Sequence, residues 1–375
     1  MRLSAITVFT ADLPLARPFR HASSGLIERL EEVVVKVETT DGGVGWAEVR
    51  GNAAYVTGDD RGRIVASLVG ILCPALIAGR AIAPATVGRV MDGIVAGNNA
   101  AKCALEVALH DALARTLGAP LYRLLGGAEH EGVMVHGTLP FSPPGEAARA
   151  ARSYLDRGVH KIKVRVGMPQ LDADLARLDA VRAALAEHPA GGAAQLAVDA
   201  NQGWGVKEAV RALRRFEPFD LAWAEQPVAG RNLAGLKEVR DSSPIPILAD
   251  ESCGTLDELR RIIELRAADA VHLKLVKAGG IRTLMAMTAL ADAAGLPYLL
   301  GQMDEGSLAT AAALACAAAA APLSCELWGF QRIEVQPFSA LVMQDGQVKL
   351  PKGAGLGIDV DEAALTLVRR FEAPA

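Results

Sequence analysis

The sequence predicts an α/β protein, a (β/α)8-type barrel carrying an N-terminal α+β capping domain. Three observations lead there. From about residue 133, eight short apolar stretches alternate with amphipathic ones: "GVMVHG", "HKIKVRV", "LAVDAN", "DLAWAEQP", "IPILADES", "ADAVHLKL", "LPYLLGQM" and "LSCELW". Strands separated by helices read as consecutive βα units, and eight of them suit a barrel better than an open sheet. Before residue 125 the order differs, with strands first and helices after, which is the pattern of a separate α+β unit. No GxGxxG opens a helix after the first strand, so a dinucleotide-binding doubly wound sheet is disfavoured.

The elements follow in order. "RLSAITVFT" alternates like a strand, and "EEVVVKVETTDGGVGWAEV" reads as a hairpin around the Asp41-Gly42 turn. In "NNAAKCALEVALHDALARTLGAP" the residues Leu105, Ala108, Leu109, Ala112 and Leu113 share one helical face, and Gly118 and Pro120 end the helix. The tail after Trp328, with "DGQVKLPKGAGLGID", is rich in Gly and Pro and contains another hairpin-like turn. It is expected to return to the first domain. The boundaries predicted are 1–128 for the capping domain, 129–330 for the barrel and 331–375 for the returning segment.

With 375 residues, 51% hydrophobic and 22% charged, the chain has ample material for a large core. Its formal net charge is only -4, from 39 basic and 43 acidic side chains without a basic stripe, so no nucleic-acid partner and no membrane partner is expected. Five scattered cysteines without a CxxC, and an N-terminus without a signal-peptide pattern, predict buried thiols and a cytoplasmic location. The Ala-rich run "LATAAALACAAAAAP" is too short to span lipid and reads as a helix packed on a sheet.

A barrel of this kind keeps its active site at the C-terminal ends of the strands. The polar residues ending the apolar runs are Lys161 and Lys163, then Asp199 and Asn201, Glu225 and Gln226, Asp250 and Glu251, and Lys274, with Asp304 and Glu305 after strand seven. From Asp199 through Glu225 and Asp250 to Lys274 the steps are 26, 25 and 24 residues, each about one βα unit. A lone acid after a strand is by default a helix cap. Three in register, aimed at one mouth, repel one another unless a cation lies between them, and an all-oxygen set suits Mg²⁺, with Mn²⁺ able to substitute. Lys161 and Lys163 point to one side of their strand. Mutual repulsion and desolvation would lower a lysine there into the range of a general base, which makes Lys163 the base and Lys161 its tuning neighbour. Lys274 would face the substrate from the opposite side, an arrangement for moving a proton α to a carboxylate. The expected partner is therefore a small-molecule carboxylate.

These motifs, "KIK", "VDAN", "EQP", "ADES", "LKLVKAGG" and "GQMDEG" with "GNNAAKCALEVALHDALARTLGAPLYRLLGG", resemble the enolase superfamily, in particular the muconate lactonizing branch of the mandelate racemase/muconate lactonizing enzyme family. The resemblance covers nearly the whole chain. It implies a modified TIM barrel, (β/α)7β, with Asp199, Glu225 and Asp250 as magnesium ligands and Lys163 and Lys274 as the acid/base pair. Lys161 is the first lysine of the KxK motif, Glu305 resembles the family's acid after strand seven, and a homo-oligomer, dimer or octamer, is implied. Capping loops around "RPFRHASSGL" and "GNAAYVTG" would close over the substrate, bringing His21 and Tyr55 to the pocket, with His136 and Asn201 lining it from the barrel.

Departures from the family pattern narrow the reading. Asp304 stands where lactonizing members resemble one another in an apolar residue, adding a charge or acceptor to the pocket. "CELWGF" replaces the Asp-x-Asp of dipeptide epimerases, which disfavours that activity. His272 lies one layer below Lys274 and reads as core, which places the chain outside the mandelate racemase branch. The leading expectation is a muconate-type cycloisomerase. The alternative is a racemase, epimerase or dehydratase of an α-amino or N-substituted carboxylate such as a proline derivative. A barrel hydrolase or a non-catalytic binding barrel fits the lysines and acids poorly.

Overall fold

The computed structural model describes residues 1–20, 25–78, 82–167 and 170–374. Strands β1 (Leu3–Arg20), β2 (Leu26–Thr39) and β3 (Val44–Arg50) form an antiparallel sheet. The β2–β3 turn is the one expected at Asp41-Gly42: Gly42 takes φ +85, a left-handed conformation open to glycine, and Thr39 N donates to Gly43 O. The helix Asn99–Thr116 packs across β2 and β3. Its apolar face is as expected except that Leu113 is only half-buried, and its polar face is buried too.

That polar face is what docks the capping unit on the barrel. The Glu106 carboxylate accepts from the N–H groups of Ile281 and Arg282, at the start of the helix Ile281–Ala294. In the same way Glu48 of β3 accepts from Gly306 N and Leu308 N at the start of the helix Ser307–Ala319. The first N–H groups of a helix lack partners within it and favour negative charge, so two glutamates from one unit complete two helices of the other.

The next strands are β4 (Gly132–Met134), β5 (Gly137–Leu139), β6 (Lys161–Arg165), β7 (Gln195–Asp199), β8 (Leu221–Glu225), β9 (Ile247–Ala249), β10 (Ala270–Lys274), β11 (Tyr298–Gly301) and β12 (Cys325–Glu326). From β5 to β12 they form one parallel eight-stranded sheet, each strand beside the next in sequence. Val135 bridges to Cys325, and His136 N donates to Cys325 O at 2.8 Å, which brings the two edges together as a nearly closed barrel. One predicted strand divides. In "GVMVHG" the first part is β4, which pairs with a hairpin of β13 (Met343–Gln344) and β14 (Gln347–Lys349), and the barrel strand begins only at Gly137. The tail ends in β15 (Thr366–Glu372), antiparallel to β1 on the capping sheet.

All five cysteines are buried and free. The Ala-rich run forms the helix Ser307–Ala319, buried through Ala317 except at its C-terminal end. Among the described residues no helix is long and apolar enough to cross a membrane.

A Cβ at Gly45 would collide with the backbone of Ala108 and Ala112, because β3 and the helix approach more closely than any side chain permits. Gly45→Val is therefore expected to destabilise the protein by about 2 kcal/mol or more, read as a lower thermal midpoint. A midpoint equal to wild type would show that the approach is looser than described.

Candidate active site

Parallel pairing fixes which inward side chains share a level of the barrel. Arg165 on β6 pairs with Asp199 on β7, and Asp199 with Glu225 on β8. Lys163 pairs with Ala197, two residues nearer the floor, and Lys161 with Gln195 at the floor itself. Across the ring Lys274 pairs with Gly301, and Gly301 with Glu326. The mouth is thus ringed by Arg165, Asp199, Glu225, Lys274 and Glu326, each the last residue of its strand.

This stacking corrects the reading of the two lysines. Strand β6 ends at Arg165, so Lys161 begins it, and its ammonium donates to Leu323 O at 2.5 Å in a depression at the opposite end of the barrel. Lys161 neither touches the site nor tunes Lys163. Lys163 is fully enclosed, 2.9 Å from Glu225 Oε2, 3.1 Å from Glu326 Oε2 and 3.3 Å from Asp199 Oδ2. Burial alone would lower its pKa, but Glu225, Glu326 and Asp199 outweigh that and raise it well above the ordinary lysine value. Lys163 holds three acids together and does not line the cavity, which is what separates it from Lys274, whose pKa is likewise raised by Asp250, Glu326 and Glu225 against burial.

Lys274 does reach the cavity, with Asp250 Oδ2 at 2.6 Å. Lys277 holds the other oxygen of Asp250 at 2.5 Å. Burial would raise Asp250, but these two ammonium groups hold it far below the usual carboxylate range. Asp199 is pushed up to about 6, by burial first and by Glu225 and Asp250 against the opposing pull of Lys163. Glu225 is raised as well, by burial and then Asp250.

The three predicted metal ligands gather at one mouth, Asp199 level with Glu225 and Glu225 close to Asp250, and an all-oxygen set of this kind suits a hard cation. Sequence reasoning gave Glu251 no role beside them. Its two carboxylate oxygens are buried without a hydrogen-bond partner, and burial, then Asp250 and Asp199, push it up to about 8. An orphaned acid beside two others is what a site for a cation looks like when proton and lysine stand in for the ion. Among the described residues, ligand atoms of Glu225, Asp250 and His272 also lie within 4.8 Å of one another. His272 Nδ1, however, is 2.8 Å from Glu225 Oε1, and burial pushes the imidazole down to about 3. A neutral ring whose nearer nitrogen is engaged orients Glu225, which keeps the donor set all oxygen and agrees with the core reading of His272.

The remaining predicted residues divide. Tyr55, Asn201 and Asp304 line the cavity together with Gln302 and Met303, and Asp304 is 3.4 Å from Arg332. His136 is entirely buried under the floor of the site, against Ser324 Oγ at 3.0 Å, and does not reach it. Glu305 does not line the cavity either. Its charged neighbours are Arg50 and Glu48 of the capping domain and Lys274 of the barrel, and burial pushes it up to about 6. His21 lies outside the described residues. Glu326 was missed because β12 supplies only two ladder residues and its sequence carries no repeat of the acidic motifs. Arg165 was missed because "KIK" drew the strand end two residues early; the ladder alone reveals it.

Residues 146–364 match the enolase C-terminal domain-like family, and residues 5–126 match the mandelate racemase/muconate lactonizing enzyme N-terminal domain. The chain belongs to the mandelate racemase/muconate lactonizing enzyme family of the enolase superfamily. It is 35% identical over 315 residues to the L-Ala-D/L-Glu epimerase of Bacillus subtilis, covering 84% of each chain. It is 30% identical over 374 residues to the N-succinyl-L-Arg/Lys racemase of Bacillus cereus, covering 99% of each. Among solved structures it resembles the muconate lactonizing enzyme of Pseudomonas fluorescens complexed with muconolactone, with TM-score 0.90, 28% identity, and 97% and 98% of the two chains covered. The epimerase and the racemase are isomerases by name.

A ligand that binds only the folded state raises stability by about 2.7 kcal/mol at a hundredfold excess over its dissociation constant. Mg²⁺ and Mn²⁺ are expected to raise the thermal midpoint, and Asp250→Asn to abolish the increment, compared with and without metal in each variant. A wild-type midpoint indifferent to both ions would contradict the metal site.

Proposed function

We propose that the protein removes a proton from the carbon α to the carboxylate of a small α-amino or N-substituted carboxylate, with Lys274 carrying the proton. The observation behind this reading is the position of Lys274: buried, last on its strand, and in the same cavity as Asp199 and Asp250. Asp199, Glu225 and Asp250 would hold Mg²⁺, with Mn²⁺ able to replace it, and Glu251 adds negative charge beside them. When bound, that cation supplies the positive charge that offsets the negative charge of an enediolate.

The chain's own groups do the rest. Lys163 keeps Asp199, Glu225 and Glu326 in place from below, and His272 fixes the orientation of Glu225. Asp250 positions the Lys274 nitrogen. Phe19, from the end of β1, is packed against the guanidinium groups of Arg165 and Arg332 at 5.7 and 5.3 Å, and places an apolar cover over the mouth that excludes water. The amino-acid class is supported by the two relatives above, whose names describe a dipeptide and an N-succinyl amino acid, both N-acylated carboxylates. Muconate-type lactonization is the second reading, and a guanidinium in the cavity able to take a second carboxylate is the feature that favours it.

Proton NMR in D₂O with Mg²⁺ tests both, against N-acylamino acids, proline and hydroxyproline derivatives, and cis,cis-muconate. Deuterium is expected at the α position of an amino-acid derivative, and Lys274→Ala is expected to slow its entry by about 10²–10⁴-fold. A lactone from muconate without α exchange in any amino-acid derivative would favour the second reading. Full exchange in Lys274→Ala would remove Lys274 from its role.

A further inference from the structure

Four strands round the ring from Lys274, the mouth of the barrel holds Arg165, and its surroundings are unusual. The residue is 6% exposed, and its Nε and Nη1 are buried without a hydrogen-bond partner. Two other guanidinium groups approach the same Phe19 ring, and both are engaged. Arg332 is 3.4 Å from Asp304 and donates to Thr138 O at 3.1 Å, while Arg50 donates to Asn52 Oδ1 at 2.8 Å and to Met303 O. Among the described residues Arg165 makes no salt bridge although Asp199 shares its level, because the Asp199 carboxylate is turned to Lys163 and to Asn201 N. A buried cation with free N–H groups is costly unless something negative arrives to meet them.

We infer that Arg165 is the anchor for an anionic group of the substrate and that it closes one face of the reacting carbon to proton transfer. The inference rests on the proposed enediolate chemistry and specifies its stereochemical course. A guanidinium presents donors in a fixed fork that suits a carboxylate, and it does not give up its proton in proteins. Proton traffic then runs on the Lys274 face alone. The Lys274 nitrogen takes the α-proton on its lone pair, and the C–H electron pair becomes the carbon–carbon π bond of the enediolate. The ammonium so formed either returns a proton to the same carbon on the same face or protonates a group leaving from the neighbouring carbon as the π electrons expel it. Exchange with retention, or elimination where a leaving group is present, is the outcome. Inversion at the α carbon, which needs a second acid on the opposite face, is not.

The substrate class that follows is a carboxylate bearing a second oxyanion, or an N-substituent that ends in one. Two measurements separate this inference from the reading beneath it. Calorimetry of the Mg²⁺-loaded protein with succinate and with propionate should show succinate binding roughly tenfold tighter or more in wild type. Arg165→Gln should lose that preference, and Arg165→Lys, which retains the charge, should keep part of it. A preference that is absent in wild type, or that survives in Arg165→Gln, overturns the anchor. In D₂O, an α-deuterated product of retained configuration is expected from wild type, with Arg165→Lys gaining inverted product because a lysine can exchange protons on that face. Inverted product from wild type would overturn the one-faced course while leaving the enediolate reading intact. Absence of α exchange with every carboxylate, alongside an Arg165-dependent preference for succinate, would retire the enediolate reading and the one-faced course and leave the anchor standing.

Discussion

The Lys163 ammonium at the centre of the barrel is the interaction on which the site depends. Asp199, Glu225 and Glu326 come from three strands, all are buried, and all lie within 3.3 Å of that one nitrogen. Isolated carboxylates in such a place would take up protons or force the strands apart. One shared cation instead allows acids to be concentrated at the mouth, and Lys277 and Lys274 do the same for Asp250. Lys163 thus steadies the acids from one level below the mouth.

The same economy of charge governs how the capping unit sits. Glu48 and Glu106 leave their own unit to satisfy the first N–H groups of two barrel helices, which fixes the cap relative to the strand ends. Phe19 is then held over the mouth among three guanidinium groups rather than in an ordinary apolar core. Two of those groups are paired with the protein, and the third is left for what binds. Sequestering a reactive carbon needs a cover that is apolar toward water and cationic toward the substrate, and an aromatic ring ringed by arginines supplies both.

The retained acids show why the donor set is read as oxygen despite a histidine within reach. His272 Nδ1 is engaged by one oxygen of Glu225 at 2.8 Å, and a neutral ring makes only one hydrogen bond on that side. It acts through the orientation of Glu225. Glu251, with no partner for either oxygen, is the acid most changed by the arrival of positive charge.

The sequence by itself determined the barrel, the capping unit, the family, and Asp199, Glu225, Asp250 and Lys274. All of these follow from local patterns, because apolar strand, polar end and helix recur with a fixed period that can be counted along the chain. It did not determine which of Lys161, Lys163 and Arg165 reaches the mouth, nor that Glu305 and His136 turn away from it, nor that Glu326 belongs there. Those depend on where each strand begins relative to its neighbours, and a shift of two residues along a strand keeps the side chain on the same face while moving it about 6–7 Å toward floor or mouth. Alternation along one strand cannot record that shift. Only the ladder of hydrogen bonds between strands, which sets Arg165 level with Asp199 and leaves Lys163 below it, decides which residue meets the substrate.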